Sequence, residues 1–178
     1  MDDKDQKRPA QLIDQKYYLY FGETETSVDP VGRTIFTPKG KGLIVYKREL
    51  TFFEGWFGTS GHLNGRCRNI RNDTIYEGEY LNDEIQGKGH QRWLNSNCEY
   101  IGDFIKGMRE GYGKYRFKNG DTYEGEWRDN IIHGHGKYTW VWDNKSTEGY
   151  WNNGKKEGMH IYRKLFDKQK HFWKDGKI

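Results

Sequence analysis

Residues 123–138 read Tyr-Glu-Gly-Glu-Trp-Arg-Asp-Asn-Ile-Ile-His-Gly-His-Gly-Lys-Tyr, and this stretch decides the fold. Side chains alternate between the two faces of a β-strand, so Tyr123, Gly125 and Trp127 share one face. The two intervening glutamates then lie on the opposite face. After the polar Arg-Asp-Asn turn, glycines and an aromatic residue again alternate with polar residues. The stretch therefore predicts a β-hairpin with one aromatic face and one charged face.

The same pattern recurs along the chain. An aromatic residue followed two positions later by glycine returns every 23 or 24 residues, and a degenerate last copy has Thr147 in place of the aromatic residue. The structural repeat positions are Phe53, Gly55, Tyr76, Gly78, Tyr80, Tyr100, Gly102, Phe104, Tyr123, Gly125, Trp127, Gly149 and Trp151. A period of this length is typical of repeat architectures, in which neighbouring units bury their apolar faces against one another.

The repeat also predicts how the hairpins pack. Glycine between two aromatic residues leaves bare backbone, over which we expect a neighbouring ring to lie. On the charged face, Glu124 or Glu126 is expected to oppose Lys114, Arg116 or Lys137 across the strands. One hairpin alone is marginally stable in water, so the hairpins are expected to pair edge to edge. We therefore predict an all-β protein, an elongated single-layer antiparallel sheet of stacked β-hairpins.

The composition supports this prediction and excludes other classes. The chain has 178 residues, of which 23 are glycine and 16% are aromatic, with a single alanine, and this excludes a helical bundle. Its mean hydropathy of −1.13 fits no membrane-spanning helix. Cys67 and Cys98 are too few for a disulfide framework, and neither belongs to a Cys-x-x-Cys pair. Since the N-terminus shows no apolar leader pattern, we expect an intracellular protein.

Tyr-Glu-Gly-Glu-Trp followed by Gly-x-Gly-Lys-Tyr, as in residues 123–138, resembles the MORN (membrane occupation and recognition nexus) repeat. The resemblance implies about five repeats in residues 51–162. Residues 17–50 are expected to form a divergent first repeat or an N-terminal cap. They contain Tyr20-Phe21-Gly22 and Gly40-Lys41-Gly42, which are similar to the repeat but are separated by an insertion.

The two ends of the chain differ from the repeats in composition. Residues 1–16 have mixed charge and no apolar period, so we expect a flexible arm. Residues 163–178 form a basic aromatic tail, which fits a short capping helix, although Met159–Phe166 could equally complete the last strand pair. Such a tail either caps the open end of the sheet or docks on an acidic surface. The cations proposed to contact a partner or lipid are Lys155, Lys156, Arg163, Lys164, Lys168 and Lys170.

Motifs for enzymatic chemistry are incomplete. Residues 149–155 match the first seven positions of a P-loop, but Lys156 stands where Ser or Thr would bind Mg²⁺. His133 and His135 share a strand face and His90 has a similar repeat position, yet no third metal ligand is paired with them. The repeats are slightly acidic and use their rings for packing, which argues against nucleic-acid binding. We predict a protein that is not an enzyme, with no catalytic residue, cofactor or metal.

The resemblance implies a non-enzymatic scaffold or adaptor that mediates protein–protein interactions in a large assembly. MORN-repeat proteins look like assembly parts of ciliary radial spokes and of the cytoskeleton, so a ciliary axoneme or the cytoskeleton is the favoured location. The partners would be other subunits or a second copy of the chain. Two alternatives stay open. One is a tether that binds anionic phospholipid through the basic tail, and the other is a subunit of another large complex, for example a mitochondrial one.

Overall fold

The computed structural model describes residues 11–49, 51–164 and 167–177, and these residues form strands and turns with no helix. The strands are β1 (Gln11–Asp14), β2 (Tyr18–Val28), β3 (Thr34–Tyr46), β4 (Thr51–Phe57), β5 (Gly65–Arg71), β6 (Thr74–Leu81), β7 (Glu84–Trp93), β8 (Cys98–Ile105), β9 (Met108–Arg116), β10 (Thr122–Arg128), β11 (Ile131–Trp140), β12 (Lys145–Asn152), β13 (Lys155–Lys164) and β14 (Asp167–Trp173). They form two compact units, one up to Glu84 and one from Ile85. In each unit the strands pair antiparallel in chain order, which confirms the predicted all-β hairpin sheet.

Glycines of successive strands lie directly opposite one another in the second unit. The row consists of Gly89, Gly102, Gly113, Gly125, Gly136 and Gly149. Because none of these residues has a side chain, the row leaves a groove of bare backbone on one face of the sheet. In the first unit, Gly42 lies between Gly22 and Gly55 in the same way.

Two local features shape the hairpin of β10 and β11. Asp129 and Asn130 join the strands with φ angles of 49° and 67°, the conformation of a type I′ turn. The register shifts between Gly125 and Trp127, which marks a β-bulge. The extra residues of the bulge are on β11, where Gly134 has a φ of 62°, in the left-handed region that favours glycine. The hairpin of β8 and β9 has the same register shift one repeat earlier.

The C-terminal tail is a strand. β14 pairs with β13, with Arg163 opposite Lys168, so the capping-helix alternative is wrong for the described residues. Alternation places His171 and Trp173 beside the ring of Tyr162, at centroid distances of 4.9 Å and 6.4 Å. A strand covers these rings and the edge of β13 at the same time, which explains why the tail extends the sheet.

The N-terminal region also differs from the expected arm. Gln11–Asp14 form β1 and pair with β2, with Ile13 opposite Tyr20 on the aromatic face. The rest of the expected arm, up to residue 10, lies outside the described residues. Within residues 17–50, β2 and β3 form a hairpin with the glycine register of the repeats. The insertion extends this hairpin to a turn at Asp29, whose carboxylate accepts a hydrogen bond from the Arg33 amide at 2.8 Å.

Candidate interaction surface

Buried tyrosines fill the groove above the glycines. A Cβ added to Gly125 or Gly136 would lie 2.7 Å or 2.2 Å from the hydroxyl oxygen of Tyr123, which is fully buried. The covering ring thus belongs to the strand itself, two residues before the glycine. The Tyr123 hydroxyl donates a hydrogen bond to the Glu126 carbonyl at 3.2 Å, and burial raises its pKa, which keeps the donor protonated. The same bond, to the carbonyl three residues on, is made by Tyr20, Tyr76 and Tyr100, at 2.6 Å, 3.2 Å and 3.1 Å.

Edge-to-face contacts hold Tyr100 and Tyr123 each between two other rings. The Tyr123 centroid lies 5.5 Å from that of Trp127 and 5.7 Å from that of Trp151, with interplanar angles of 85° and 86°. The Trp127 indole donates to the Gly113 carbonyl at 3.2 Å, and the Trp151 indole donates to the Gly136 carbonyl at 3.4 Å. Such ring pairs contribute about 0.5–1.5 kcal/mol beyond area burial. The contacts therefore link each repeat to the next.

The structure brings the repeat positions named from the sequence to this aromatic face. The buried rings among them are Tyr76, Tyr80, Tyr100, Phe104, Tyr123, Trp127 and Trp151, and Phe53 is half-buried. The glycines among them are Gly55, Gly78, Gly102, Gly125 and Gly149, each opposite a glycine, Cys67 or His160 on a neighbouring strand. These residues build the scaffold, and the surfaces open to a partner lie elsewhere.

The acidic residues after Gly102 and Gly125 have a use that the sequence pattern did not indicate. Glu126 Oε1 accepts a hydrogen bond from the backbone amide of His135 at 2.9 Å, whereas we expected an ion pair. A Cβ on Gly134 would lie 2.3 Å from the Glu126 carboxylate, so only glycine leaves room for it. Asp103 has the equivalent position one repeat earlier and accepts from the Tyr112 amide at 3.2 Å. These carboxylates therefore close the bulges.

The last repeat replaces both the tyrosine and a glycine. Thr147 stands at the tyrosine position, and His160 stands at the glycine position opposite Gly149. The Thr147 hydroxyl lies 3.2 Å from His160 Nδ1, and His160 Nε2 donates to the Tyr150 carbonyl at 2.7 Å. The imidazole thus fills the groove from the opposite strand and makes the carbonyl bond of the missing tyrosine. Burial lowers the pKa of His160, which favours the neutral ring.

A related replacement occurs in the first unit. Cys67 stands at a glycine position, opposite Gly78, and a Cβ on Gly55 would lie 2.4 Å from the Cys67 sulfur. Burial raises the pKa of the Cys67 thiol, so the side chain is a neutral filler of the groove. In the sequence, both replacements are visible as a lost glycine.

Two cations lie among aromatic rings on the same face. The Arg109 guanidinium is 4.6 Å from the Trp127 ring, and the other rings within 5.8 Å are Trp93, Tyr100 and Tyr115. Two repeats later, the Lys156 ammonium is 4.4 Å from the Trp173 ring, and the other rings within 5.8 Å are Trp140, Trp151 and Tyr162. Lys156 was expected to meet a partner or lipid. Because the second residue of β13 faces the aromatic side, it contacts the molecule's own rings instead.

The opposite face of the second unit carries a ladder of charges. Lys114 lies 3.5 Å from Glu124, as expected. Arg116 donates instead to Glu99 at 2.8 Å, and His90 lies 3.1 Å from the same carboxylate. The Arg116 guanidinium holds the pKa of Glu99 below its ordinary value. Exposed pairs of this kind contribute about 0–1 kcal/mol each, so the ladder adds little stability and stays available to a partner.

At the end of this face lies an exposed apolar surface formed by Tyr150, Met159 and Phe172, which we name the C-terminal patch. Their exposed fractions are 46%, 55% and 63%. Met159 and Phe172 lie opposite each other in the β13–β14 register, and Lys170 is exposed next to them on β14. Large apolar side chains that cluster on a surface mark interaction sites.

The other cations predicted to contact a partner have separate environments. Lys155, Lys164 and Lys170 are exposed. Arg163 pairs with Glu148 at 2.6 Å. Lys168 lies opposite Arg163 in the strand register. Exposed lysines therefore remain on both β13 and β14.

In the part of the chain that the structure describes, no three His, Cys, Asp or Glu residues gather as a metal site. The P-loop pattern of residues 149–155 runs from β12 through a turn into β13, with Gly154 at a φ of 78°. A phosphate-binding loop requires a helix N-terminus after the glycines, so this pattern belongs to a hairpin. The described residues also contain no helix that is long and apolar enough to cross a membrane.

The model of the MORN repeat family matches residues 76–98, 100–122, 123–145 and 148–159. The chain carries MORN repeats. Three of the matched MORN repeats begin at the buried tyrosines Tyr76, Tyr100 and Tyr123, so the match follows the aromatic row. The MORN repeat is a non-enzymatic repeat family, consistent with a scaffold for protein interaction or membrane association.

Proposed function

We propose that this MORN-repeat protein is a non-enzymatic scaffold or adaptor subunit in a large assembly, in the ciliary axoneme, with a radial-spoke-like role, or in the cytoskeleton. The repeats form a stiff platform because Tyr100 and Tyr123 are each held by one ring of their own repeat and one ring of the next. The carboxylates of Asp103 and Glu126 are engaged with backbone amides, which is a structural use. Such a platform suits the display of side chains to partner proteins.

The C-terminal patch is the observation that carries this proposal. Phe172 is 63% exposed on a paired strand, so a partner can bury it without ordering a loop. Lys170 and Lys174 are exposed two residues before and after it, and the partner is therefore an acidic protein surface with an apolar centre. Aromatic anchors surrounded by polar residues are typical of binding hot spots.

Affinity capture with mass spectrometry tests the scaffold. We expect the wild-type chain to retain a defined set of axonemal or cytoskeletal subunits, and Phe172→Glu to lose them. Ile105→Glu is the matched control, because Ile105 is 46% exposed in the same unit but away from the patch. A tagged chain should localise to the cilium or the cytoskeleton. A diffuse monomer without copurifying partners would contradict the scaffold, and a mitochondrial signal would favour a subunit of another complex.

A membrane tether is the second candidate, since Lys155, Lys164 and Lys170 are exposed on β13 and β14. A basic residue close to an anionic bilayer contributes about 1 kcal/mol. Flotation with vesicles of phosphatidylserine and phosphatidylcholine tests this candidate. Salt-sensitive binding that the double variant Lys164→Ala/Lys170→Ala reduces would support it, and equal recovery of both proteins in the unbound fraction would exclude it.

A further inference from the structure

The two units differ at one repeat position on the face opposite the tyrosines. This position is the residue immediately before the one that begins the repeat, for example Glu99 before Tyr100. In the second unit it is polar in every described repeat, with Glu99, Thr122 and Ser146. In the first unit it is always apolar, with Leu19, Phe52 and Ile75. The first unit therefore carries apolar side chains on both faces of its sheet.

The strand register joins these residues into a continuous row. Leu19, Val45, Phe52, Ile70 and Ile75 are successive partners from β2 to β6. A second row next to it joins Leu12, Phe21 and Leu43 from β1 to β3. Together these eight residues are named the reverse apolar face. The equivalent first row in the second unit includes Arg116, Thr139 and Arg163, so the apolar character is specific to the first unit.

The reverse apolar face is partly open to solvent, because three of its eight residues are exposed and the other five are half-buried. Leu12 is 67% exposed, Phe21 54% and Phe52 38%. They lie on the side away from Tyr20 and Tyr76, which are buried on the aromatic face. The largest contiguous apolar patch on a soluble protein is often a functional surface.

The border of this face is electrically balanced. Lys47 pairs with Asp14, and Arg68 pairs with Glu77 at 3.1 Å. Glu54 and Lys41 lie on the same side, one acidic and one basic. A balanced border attracts neither a strongly acidic nor a strongly basic partner, and it suits a neutral apolar surface of similar outline.

The size of the face also restricts what can cover it. One row crosses five strands and the other three, and with their charged border they cover on the order of 500 Å² per copy at the usual strand spacing. Two such faces in contact would bury on the order of 1,000 Å², the lower limit for a specific interface. The same face of a second molecule matches this face in extent, in charge balance and in apolar character.

We propose that the reverse apolar face is a self-association surface, on which a second copy of this chain packs sheet against sheet about a two-fold axis. An isologous contact requires a self-complementary surface, which apolar rows with a balanced border provide. Its modest area gives a weak and reversible dimer. The proposal does not depend on the scaffold function, because that function uses the C-terminal patch of the second unit.

Sedimentation velocity over a wide range of protein concentration tests this dimer. We expect the wild type to shift from monomer to dimer as the concentration rises. Phe21→Glu and Phe52→Glu should each remain monomeric over the same range, because a carboxylate would be buried against an apolar row. Ile101→Glu is the control, since Ile101 is 52% exposed on the same face of the second unit and should leave the dimer unchanged.

Further measurements distinguish dimerisation from misfolding of the variants and from binding of the face to a lipid bilayer. Circular dichroism melts must show that both variants remain folded, and two variants are used so that one unfolded protein does not decide the result. A wild type that stays monomeric at every concentration overturns the proposal, as does dimerisation of the two variants equal to that of the wild type. Binding of a monomeric wild type to uncharged phosphatidylcholine vesicles would assign the face to a bilayer instead.

Discussion

The Thr147 hydroxyl lies 3.2 Å from Nδ1 of His160, and these two residues together occupy the space that Tyr123 and Gly136 share in the preceding repeat. A Cβ on Gly136 would lie 2.2 Å from the Tyr123 hydroxyl. A tyrosine at this position therefore excludes any residue larger than glycine on the opposite strand. One ring fills the groove in either case, from one strand or from the other. The identities of the two positions are therefore coupled.

Exchanging the pair should restore the common form of the repeat. Thr147→Tyr alone should lower the free energy of unfolding by about 1–3 kcal/mol, because the new ring overlaps His160. His160→Gly alone should lower it by about 2–4 kcal/mol, because it leaves a cavity and removes the bond to the Tyr150 carbonyl. Urea unfolding should show that the double variant is more stable than the sum of the single changes predicts, by about 1–3 kcal/mol. Simple additivity would contradict the coupling.

The neutral His160 should make stability depend on pH. Its folded pKa is below the ordinary value of 6.5, so below that pH the unfolded chain binds a proton that the folded chain resists. Stability should therefore fall as the pH drops from about 6.5 towards the folded pKa. Urea unfolding at several pH values should show a smaller loss for Thr147→Tyr/His160→Gly than for the wild type, since the double variant lacks this group. If the wild type and the double variant lose equal stability as the pH falls, His160 does not contribute to the pH dependence.

Two glutamates of β10 should differ in their effect on stability. Glu126→Ala should lower the free energy of unfolding by about 1–2 kcal/mol, because the His135 amide loses a charged acceptor at the bulge. Glu124→Ala, two residues earlier, removes an exposed ion pair with Lys114 and should cost less than about 1 kcal/mol. Thermal melts of both variants provide the comparison. Equal losses would mean that Glu126 is an ordinary surface charge.

Lys155 and Lys156 provide a matched pair of neighbouring lysines. Lys156→Ala should cost about 1–3 kcal/mol, because four rings lose the ammonium and its stem. Lys155→Ala should change stability by less than about 0.5 kcal/mol, because its side chain is exposed. Chemical denaturation at low and high salt measures both. A cost for Lys156→Ala that disappears at high salt would indicate a surface charge effect rather than ring contact.

The spacing of Tyr123, Gly125 and Trp127 was sufficient to predict strands, their aromatic face and the stacking of hairpins, because a period of two constrains side-chain direction. It could not predict the bulge that turns Glu126 toward a backbone amide, since a two-residue register shift leaves the alternation of faces unchanged. For the same reason, the sequence shows Thr147 as a degenerate position and not as one half of an exchanged pair. The exchange depends on which residues lie opposite, and only the register shows that.

The chain ends were harder to predict, for a related reason. The spacing of Ile161, Leu165 and Phe172 fits one stripe of a helix, but the tail pairs with the open edge of β13 instead. In the sequence, Lys156 is not distinguishable from the neighbouring basic residues. As the second residue of β13, however, it lies on the aromatic face and contacts the rings there. Position within the repeat predicted burial better than residue type did.

In the second unit, each strand pairs with the strands before and after it in the chain, so nearly all of its stabilising contacts are close in sequence. Contacts of this kind lower the entropic cost of loop closure and favour rapid folding. The Tyr123 ring contacts one ring of its own repeat and one ring of the next repeat. Unfolding of the next repeat therefore removes one of these two ring contacts. Unfolding should then travel repeat by repeat from an end, as in a one-dimensional lattice in which each element is stabilised by the state of its neighbour.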